Sequence, residues 1–87
     1  MTQSHSADRA DTTRIVHDTI TAILPGVPRE EIRGDRHLKD LGADSVDRVE
    51  ILLSLVERLG VTEPLSRFSD VPDVDALIDL LRATRRR

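Results

Sequence analysis

The segment LGADSVDRVEILLSLVERLG, from Leu41 to Gly60, places the hydroxyl of Ser45 between an acidic residue and the start of an apolar helix. This hydroxyl has two interpretations. In the first, Asp44 and Ser45 only accept hydrogen bonds from the free amides of the first helical turn. In the second, the hydroxyl is a point of covalent attachment, because a helix N-terminus favours a phosphate group.

The surroundings of Ser45 differ from the nucleophile site of a serine hydrolase. Gly42 lies three residues before Ser45 and no glycine follows at the second position, so the G-x-S-x-G elbow is absent. No histidine lies near enough in sequence to suggest a general base. For a reaction at the hydroxyl, the sequence leaves two sources of the base: a distant histidine of the chain, or a partner enzyme that brings its own base and metal ion. The second fits a helix N-terminus better, because a phosphate is favoured there. The protein would then be a carrier whose reactive group is added after translation.

Composition excludes several other kinds of site. The chain has no cysteine, which excludes disulfides and thiolate metal sites, and His5, His17 and His37 have no metal-ligand spacing, so we predict no metal site. Phe68 is the single aromatic residue, too few for a surface that stacks nucleic-acid bases. No apolar run approaches the ~18 residues of a membrane span and no signal peptide is visible, so we expect a cytoplasmic protein that binds no membrane.

Charge is distributed unevenly along the chain, although the formal net charge is only −3. Residues 40–79 hold ten of the 16 acidic residues but only three arginines. Such an acidic region repels nucleic-acid phosphates and attracts basic partner surfaces. Residues 85–87 are all arginine, which we interpret as a basic tail that complements the C-terminal end of a helix.

Length and hydrophobic periodicity predict one small all-α domain. A chain of 87 residues has no room for a second core. Apolar spacing predicts a first helix from about Asp8 to the Pro25-Gly26 pair, a second from Ser45 to Gly60, and a last one that opens near Asp73. The last helix should bury Val74, Leu77, Ile78 and Leu81 on one face. We expect residues 1–7 to be disordered and residues 8–84 to form the domain.

The predicted connections differ greatly in length. Between the first two helices, Pro28–Ile32 allows a single turn, and the long polar loop that follows, from Arg33 to Ala43, should be anchored in the core by Leu38 and Leu41. Pro64–Phe68 predicts one short helix. The expected fold is therefore a small four-helix bundle of three main helices and one short one. A structureless connection as long as the first usually has a functional reason.

The second helix is apolar over a wider arc than a single core requires. At 100° per residue, its apolar side chains spread over roughly 220°, whereas a core-facing stripe needs only somewhat more than about 100°. Val46, Val49 and Leu53 lie at the edge of this arc and are candidates for exposure. They adjoin Glu50 and Glu57, as expected of a docking surface for a basic, hydrophobic partner. The alternative is that neighbouring loops cover the strip and the acids are simply solvated.

The stretch LGADSVDRVEIL resembles the acyl carrier protein motif, commonly LGxDSLxxVEL, with Ser45 at the position of the modified serine. The order of elements is similar too, over about residues 9–83, and implies a four-helix carrier bundle. Val46 departs from the motif, where leucine is commoner. Arg48 also departs from it, since this helix is often more uniformly acidic; we expect its long stem to carry the guanidinium to solvent.

The resemblance implies that Ser45 receives 4′-phosphopantetheine from coenzyme A through a Mg²⁺-dependent phosphopantetheinyl transferase. Asp44 would lie close to the metal ion and phosphate during transfer. Acyl groups would then be held on the thiol of the arm as thioesters. The partner-binding residues would be Val46, Asp47, Val49, Glu50, Leu53 and Glu57. No residue of the chain is expected to be catalytic, so the protein would be a substrate of its partner enzymes rather than an enzyme.

The stretches ILPGVPREEI and ERLGVTEP, together with DSVDRVEI, are most similar to freestanding carriers of bacterial polyketide pathways, and among them to carriers that donate an acetyl unit to a hydroxymethylglutaryl-type synthase for β-branching. The expected partners are then an acyltransferase, a ketosynthase or such a synthase, and the carrier would be a monomer. Two alternatives stay open. One is a carrier for fatty-acid synthesis or aminoacyl transfer. The other is a small helical adaptor that binds a partner through its acidic second helix and uses Ser45 only as a cap.

Overall fold

The structure, a computed structural model, describes the backbone of residues 4–85 and the side chains of residues 9–84. It contains three α-helices, α1 (Ser4–Ile23), α2 (Ser45–Leu59) and α3 (Val74–Arg85). Three short 3-10 helices lie between them, at Arg29–Glu31, Leu38–Leu41 and Leu65–Arg67. No strand occurs within residues 4–85, and the predicted small helical bundle is confirmed. The short helix expected at Pro64–Phe68 is a single 3-10 turn.

Helix α1 begins at Ser4, earlier than the predicted start at Asp8. Residues 4–7, which the sequence predicts to be disordered, have a helical backbone, and residues 1–3 lie outside the described part of the chain. The physical reason is the absence of glycine and proline before Pro25, so no helix-breaking residue separates this segment from the packed part of α1. Of the predicted tail 85–87, only the backbone of Arg85, the last residue of α3, is described.

Helices α2 and α3 end and begin as their sequences predict. Gly60 follows α2 in the left-handed conformation, with φ of 67°, and its N–H donates to the Glu57 carbonyl. Glycine adopts this conformation without the steric cost that a side chain would add. At α3, the side chain of Asp73 accepts a hydrogen bond from the Ala76 N–H at 2.8 Å, so it caps the helix that begins at the next residue.

The core is aliphatic except for Phe68, and every α-helix contributes to it. Its helical members are Val16 and Ile20 from α1, Ile51, Leu52, Leu55 and Leu59 from α2, and Val74, Leu77, Ile78 and Leu81 from α3. The last four confirm the inner face predicted for the final helix. Burial of each such side chain contributes about 1.5–3 kcal/mol relative to exposure, before the entropy of ordering the chain is subtracted.

The long first connection is held in place by α3. The Val74 N–H donates to the Arg36 carbonyl and the Asp75 N–H to the Gly34 carbonyl, each at 2.9 Å, so two amides at the start of α3 find acceptors in the loop. Gly34 lies so close to Asp75 that a Cβ atom would overlap its carboxylate. Leu38 and Leu41 are buried, as predicted. The loop is therefore a packed segment that positions the start of α2.

Candidate functional site

A 3-10 turn, Leu38–Leu41, leads the chain to the start of α2. At its N-terminal end, the side chains of His37 and Asp40 form reciprocal hydrogen bonds with backbone amides. At its C-terminal end, Gly42 adopts a left-handed φ of 94°. Both leucines of the turn are buried in the core. This turn therefore fixes the position of Asp44 and Ser45, which follow it at the surface.

The side chain that caps α2 is Asp44. Its Oδ1 accepts a hydrogen bond from the Asp47 N–H at 2.8 Å, and Oδ2 of Asp47 accepts one from the Asp44 N–H at 3.4 Å. This reciprocal pair is a capping box. Ser45 is the first helical residue, and its exposed hydroxyl has no hydrogen-bond partner among the described residues. The interpretation of Ser45 as the cap is thus corrected, because the preceding carboxylate fills that role.

A small pocket of about 200 Å³ opens beside Ser45. Its walls include apolar Leu52, Phe68 and Val71 and polar His37, Ser45 and Arg48. Leu52 and Phe68 belong to the core, so the pocket leads from the exposed hydroxyl toward the interior. Sequence reasoning did not find this pocket, because Phe68 and Val71 are brought beside α2 only by tertiary packing.

Arg48 lies beside Ser45 and turns back toward the start of its helix. Its Nη1 donates to the Ala43 carbonyl at 3.1 Å, and the residue is half-buried. The guanidinium thus has a partner within the chain that the sequence does not indicate. Long helical side chains lean toward the N-terminus, and here the Ala43 carbonyl is within reach. Residues three apart share a helix face, so Arg48 lies on the side of the helix that carries Ser45.

One face of α2 combines exposed apolar residues with unpaired carboxylates. Exposed fractions are 65% for Val46, 48% for Val49 and 46% for Leu53, which confirms that the three predicted edge residues are exposed. Glu50 and Glu57 are exposed beside them and have no ion-pair partner among the described residues. We call these five residues the α2 face. Asp47, assigned to the same surface from the sequence, is half-buried and engaged in the capping box.

Ile23, at the end of α1, extends the α2 face. It lines a shallow groove of about 450 Å³ together with Glu50, Leu53, Ser54 and Glu57. Ile23 is also half-buried against the core. No sequence signal reveals its second role, since its position beside α2 depends on how the two helices pack.

A larger groove, of about 780 Å³, lies on another side of the molecule. Its charged and titratable lining consists of Arg9, Arg14, His17, Arg29 and Arg82. Partial burial lowers the pKa of His17 below its ordinary value, and the charge of Arg29 lowers it further, while Asp18 acts in the opposite direction. His17 is therefore neutral at pH 7 and adds no positive charge to the groove.

Carboxylates balance the arginines around this groove, which we call the α1–α3 face. The pairs are Arg9 with Asp75 at 3.2 Å and with Asp79, Arg14 with Asp11 at 2.9 Å, and Arg29 with Asp18 at 2.8 Å. Because Arg9, Arg14 and Arg29 each lie next to a carboxylate, the field that these three charges present to an approaching anion is weakened. Ser45 does not line this groove.

The part of the chain with described side chains contains no group of three His, Asp or Glu residues placed to bind a metal ion. His17 lines the larger groove and His37 caps a turn, while the side chain of His5 lies outside the described residues. No helix among residues 4–85 is both long and apolar enough to cross a bilayer.

Comparison with known protein families finds one family that matches this chain. The family described as "Phosphopantetheine attachment site" matches residues 16–81, from the second half of α1 into α3. The chain belongs to this family. The resemblance to acyl carrier proteins is thereby confirmed, and the cofactor of the domain is a covalently attached 4′-phosphopantetheine.

The curated relatives are much longer proteins. The chain is 29% identical over 77 residues to the non-reducing polyketide synthase adrD of Penicillium roqueforti, and 30% identical over 78 residues to the non-reducing polyketide synthase ausA of Penicillium brasilianum. These matches cover 88% and 90% of this chain. The chain spans about 3% of the length of either relative. No solved structure matches it significantly.

Proposed function

We propose that this protein is an acyl carrier of polyketide biosynthesis, modified at Ser45. The observation that carries the proposal is the exposed, unpartnered hydroxyl at the first residue of α2, in a chain of the phosphopantetheine-attachment family. The residues present fit the group. Asp44 caps the helix, so a substituent on Ser45 displaces no capping bond, and the neighbouring pocket offers room beside the oxygen.

Attachment at Ser45 is a transfer of a phosphoryl group. The Ser45 oxygen forms a bond to the phosphorus of coenzyme A that bears pantetheine, the bond from that phosphorus to the second phosphate breaks, and adenosine 3′,5′-bisphosphate leaves. The serine proton passes to a base of the phosphopantetheinyl transferase, where Mg²⁺ balances the phosphate charge. Oδ1 of Asp44 accepts a hydrogen bond from the Asp47 amide. By the resemblance to acyl carrier proteins, the Asp44 carboxylate would also lie close to that metal ion during transfer.

The attached group supplies a terminal thiol on which acyl intermediates are held as thioesters. In this proposal the domain acts as a carrier, and partner enzymes supply the catalytic groups that work on the thioester. Its own contribution is to present Ser45 from a rigid helix start. The capping box and the packed loop before it restrict the position of the hydroxyl.

Partner enzymes are proposed to dock on the α2 face together with Asp47. Exposed Val46, Val49 and Leu53 supply apolar contact area, and the unpaired carboxylates attract basic surfaces. The partners proposed are the phosphopantetheinyl transferase, an acyltransferase and a ketosynthase. A helical adaptor would bind its partner through the same surface, so modification of the adjoining Ser45 is what distinguishes the carrier from the adaptor.

The polyketide assignment is supported by relatives that are polyketide synthases. The finer proposal, donation of an acetyl unit to a hydroxymethylglutaryl-type synthase, is carried by the sequence motif around Ser45. The test is to load acetyl and malonyl forms of the carrier and offer each to such a synthase and to a ketosynthase. Acetyl transfer to the former supports the donor role; turnover by the ketosynthase alone contradicts it.

The attachment site is tested by intact mass before and after incubation with coenzyme A, Mg²⁺ and a broad-specificity phosphopantetheinyl transferase. Wild type and the control Ser54→Ala, a serine of the same helix, should each gain one phosphopantetheinyl group. Ser45→Ala should gain none. A gain by Ser45→Ala would move the site to another residue. No gain by wild type, shown to be folded and unmodified at the start, would favour a helical adaptor.

A further inference from the structure

The pocket beside Ser45 contains a basic side chain that attachment does not require. We infer that Arg48 binds the phosphodiester of the attached arm and holds the first part of the arm over this pocket. The inference rests on the proposed attachment at Ser45. It gives Arg48 a role in binding the attached arm, and Arg48 is not one of the residues of the proposed docking surface.

Negative charge at the start of α2 creates the need for such a contact. The carboxylates of Asp44 and Asp47 flank Ser45, and both already bind amides of the first turn. A phosphodiester on Ser45 brings another negative charge into the same turn. Like charges at such short range disfavour one another, whereas a cation nearby offsets the repulsion. A positively charged side chain on this side of the helix would therefore be attracted to the modified serine.

Arg48 is placed to supply that charge. Its Nη1 lies 3.1 Å from the carbonyl of Ala43, two residues before Ser45, and both Ser45 and Arg48 line the same pocket. The guanidinium carries five N–H donors, and the Ala43 carbonyl uses one. The remaining donors form a planar fork that matches phosphate oxygens. The guanidinium therefore lies at the same end of α2 as Ser45 and keeps free donors for a phosphate attached there.

Arg48 also differs from the arginines of the α1–α3 face in its pairing. Arg9, Arg14 and Arg29 each contact a carboxylate. Arg48 has no carboxylate partner among the described residues, and its resolved hydrogen bond is to a neutral carbonyl. A half-buried guanidinium without an anionic partner gains more from a new anion than one that must first break an ion pair.

The size of the pocket indicates which part of the ligand it receives. Its volume of about 200 Å³ is below the ~300–1,000 Å³ of sites that enclose a drug-sized ligand. It suits the short apolar segment of the arm that follows the phosphate, packed against Leu52 and Phe68. We therefore assign the pocket to the start of the arm and not to a long acyl chain.

The test compares loaded and unloaded protein by NMR, after intact mass has shown one phosphopantetheinyl group per chain. In wild type, the guanidinium signal of Arg48 should shift on loading, while that of Arg58 should not. The phosphorus resonance of the loaded protein should move in Arg48→Gln and stay in place in Arg58→Gln. Arg48→Lys, which keeps the charge but loses the fork, should give an intermediate shift. Added salt should reduce these differences.

Arg58 is a matched control because it lies in the last turn of the same helix and donates to Thr19 Oγ1 at 3.2 Å, far along the helix from Ser45. Unchanged Arg48 and phosphorus signals in a fully loaded chain would overturn the role of Arg48 and leave attachment at Ser45 intact. Failure of wild type to load would overturn both proposals. The wild-type guanidinium measurement needs no substitution, so it decides the question even if Arg48→Gln does not fold.

Discussion

The two charged faces of this domain differ in the pairing of their charges. On the α1–α3 face, arginines from α1 and the first 3-10 helix contact carboxylates within the same molecule. On the α2 face, Glu50 and Glu57 have no such partner among the described residues and lie beside exposed apolar side chains. The α1–α3 face carries the larger groove. The carboxylates beside Arg9, Arg14 and Arg29 nevertheless weaken the field of these three arginines.

The difference shows which surface is suited to a charged partner. Ion pairs between exposed side chains contribute only about 0–1 kcal/mol each to stability, but they remove the long-range field of both members. Unpaired carboxylates keep that field and can steer a basic partner. Unpaired charge next to exposed apolar area is therefore the ground on which we propose the α2 face, and not the larger groove, as the docking surface.

The inner and outer sides of α2 should respond very differently to the same substitution. Leu55 is fully buried and Leu53 is 46% exposed, two residues away on the same helix. Leu55→Ala should lower the free energy of unfolding by about 2–5 kcal/mol, because it leaves a cavity in the core. Leu53→Ala should cost less than about 1 kcal/mol and instead slow reactions with partner enzymes. Urea unfolding checks both values, and equal losses would contradict the assignment of the outer side.

The start of α2 offers a second matched pair. Asp44→Ala removes the side chain that accepts the Asp47 amide and should lower the free energy of unfolding by about 0.5–2 kcal/mol. Ser45→Ala removes an unpartnered hydroxyl and should change it by no more than about 0.5 kcal/mol, although loading is lost. Urea unfolding of the two variants beside wild type measures this difference. A larger loss for Ser45→Ala than for Asp44→Ala would show that Ser45 is the cap after all.

On the α1–α3 face, His17 should add a small pH dependence to stability. Because its pKa is lowered in the folded state, the unfolded chain binds the proton more readily. The stabilising effect of neutral His17 is fully present above the ordinary pKa of about 6.5 and is lost as the pH falls through the lowered folded value. His17→Gln should therefore lose less stability than wild type between pH 7.5 and pH 5 in urea unfolding. Identical pH dependence in both proteins would contradict the burial of this imidazole.

Much of the fold, and the exposure of the apolar residues of the α2 face, can be predicted from local patterns in the sequence. The 3.6-residue period predicts the inner face of α3, and Gly60 predicts the end of α2, because both depend on residues near in sequence. The excess apolar arc of α2 likewise predicts the exposure of Val46, Val49 and Leu53. These features need no knowledge of how distant segments meet.

Other features depend on tertiary packing or on a choice between equivalent residues. Asp44 and Ser45 are both good caps, and only the hydrogen bond to the Asp47 amide decides between them. The direction of the Arg48 side chain depends on the Ala43 carbonyl. The pocket beside Ser45 depends on Phe68 and Val71, which lie between α2 and α3 in the chain. The sequence predicts too late a start for α1, because the polar residues before Asp8 show no apolar periodicity. Such residues can nevertheless extend an existing helix.

The most direct test of the central claim compares charge reversals on the two faces. Glu50→Lys/Glu57→Lys and the control Asp11→Lys/Asp18→Lys change the net charge equally, but the first pair lies on the α2 face and the second on α1. The measurement is kcat/KM for loading by a phosphopantetheinyl transferase at several salt concentrations. We expect the α2 variant to lose about tenfold at low salt, with the loss fading as salt rises, and the control to lose little. Equal losses in both variants, or none in the α2 variant, would contradict the assignment of the docking surface to the α2 face.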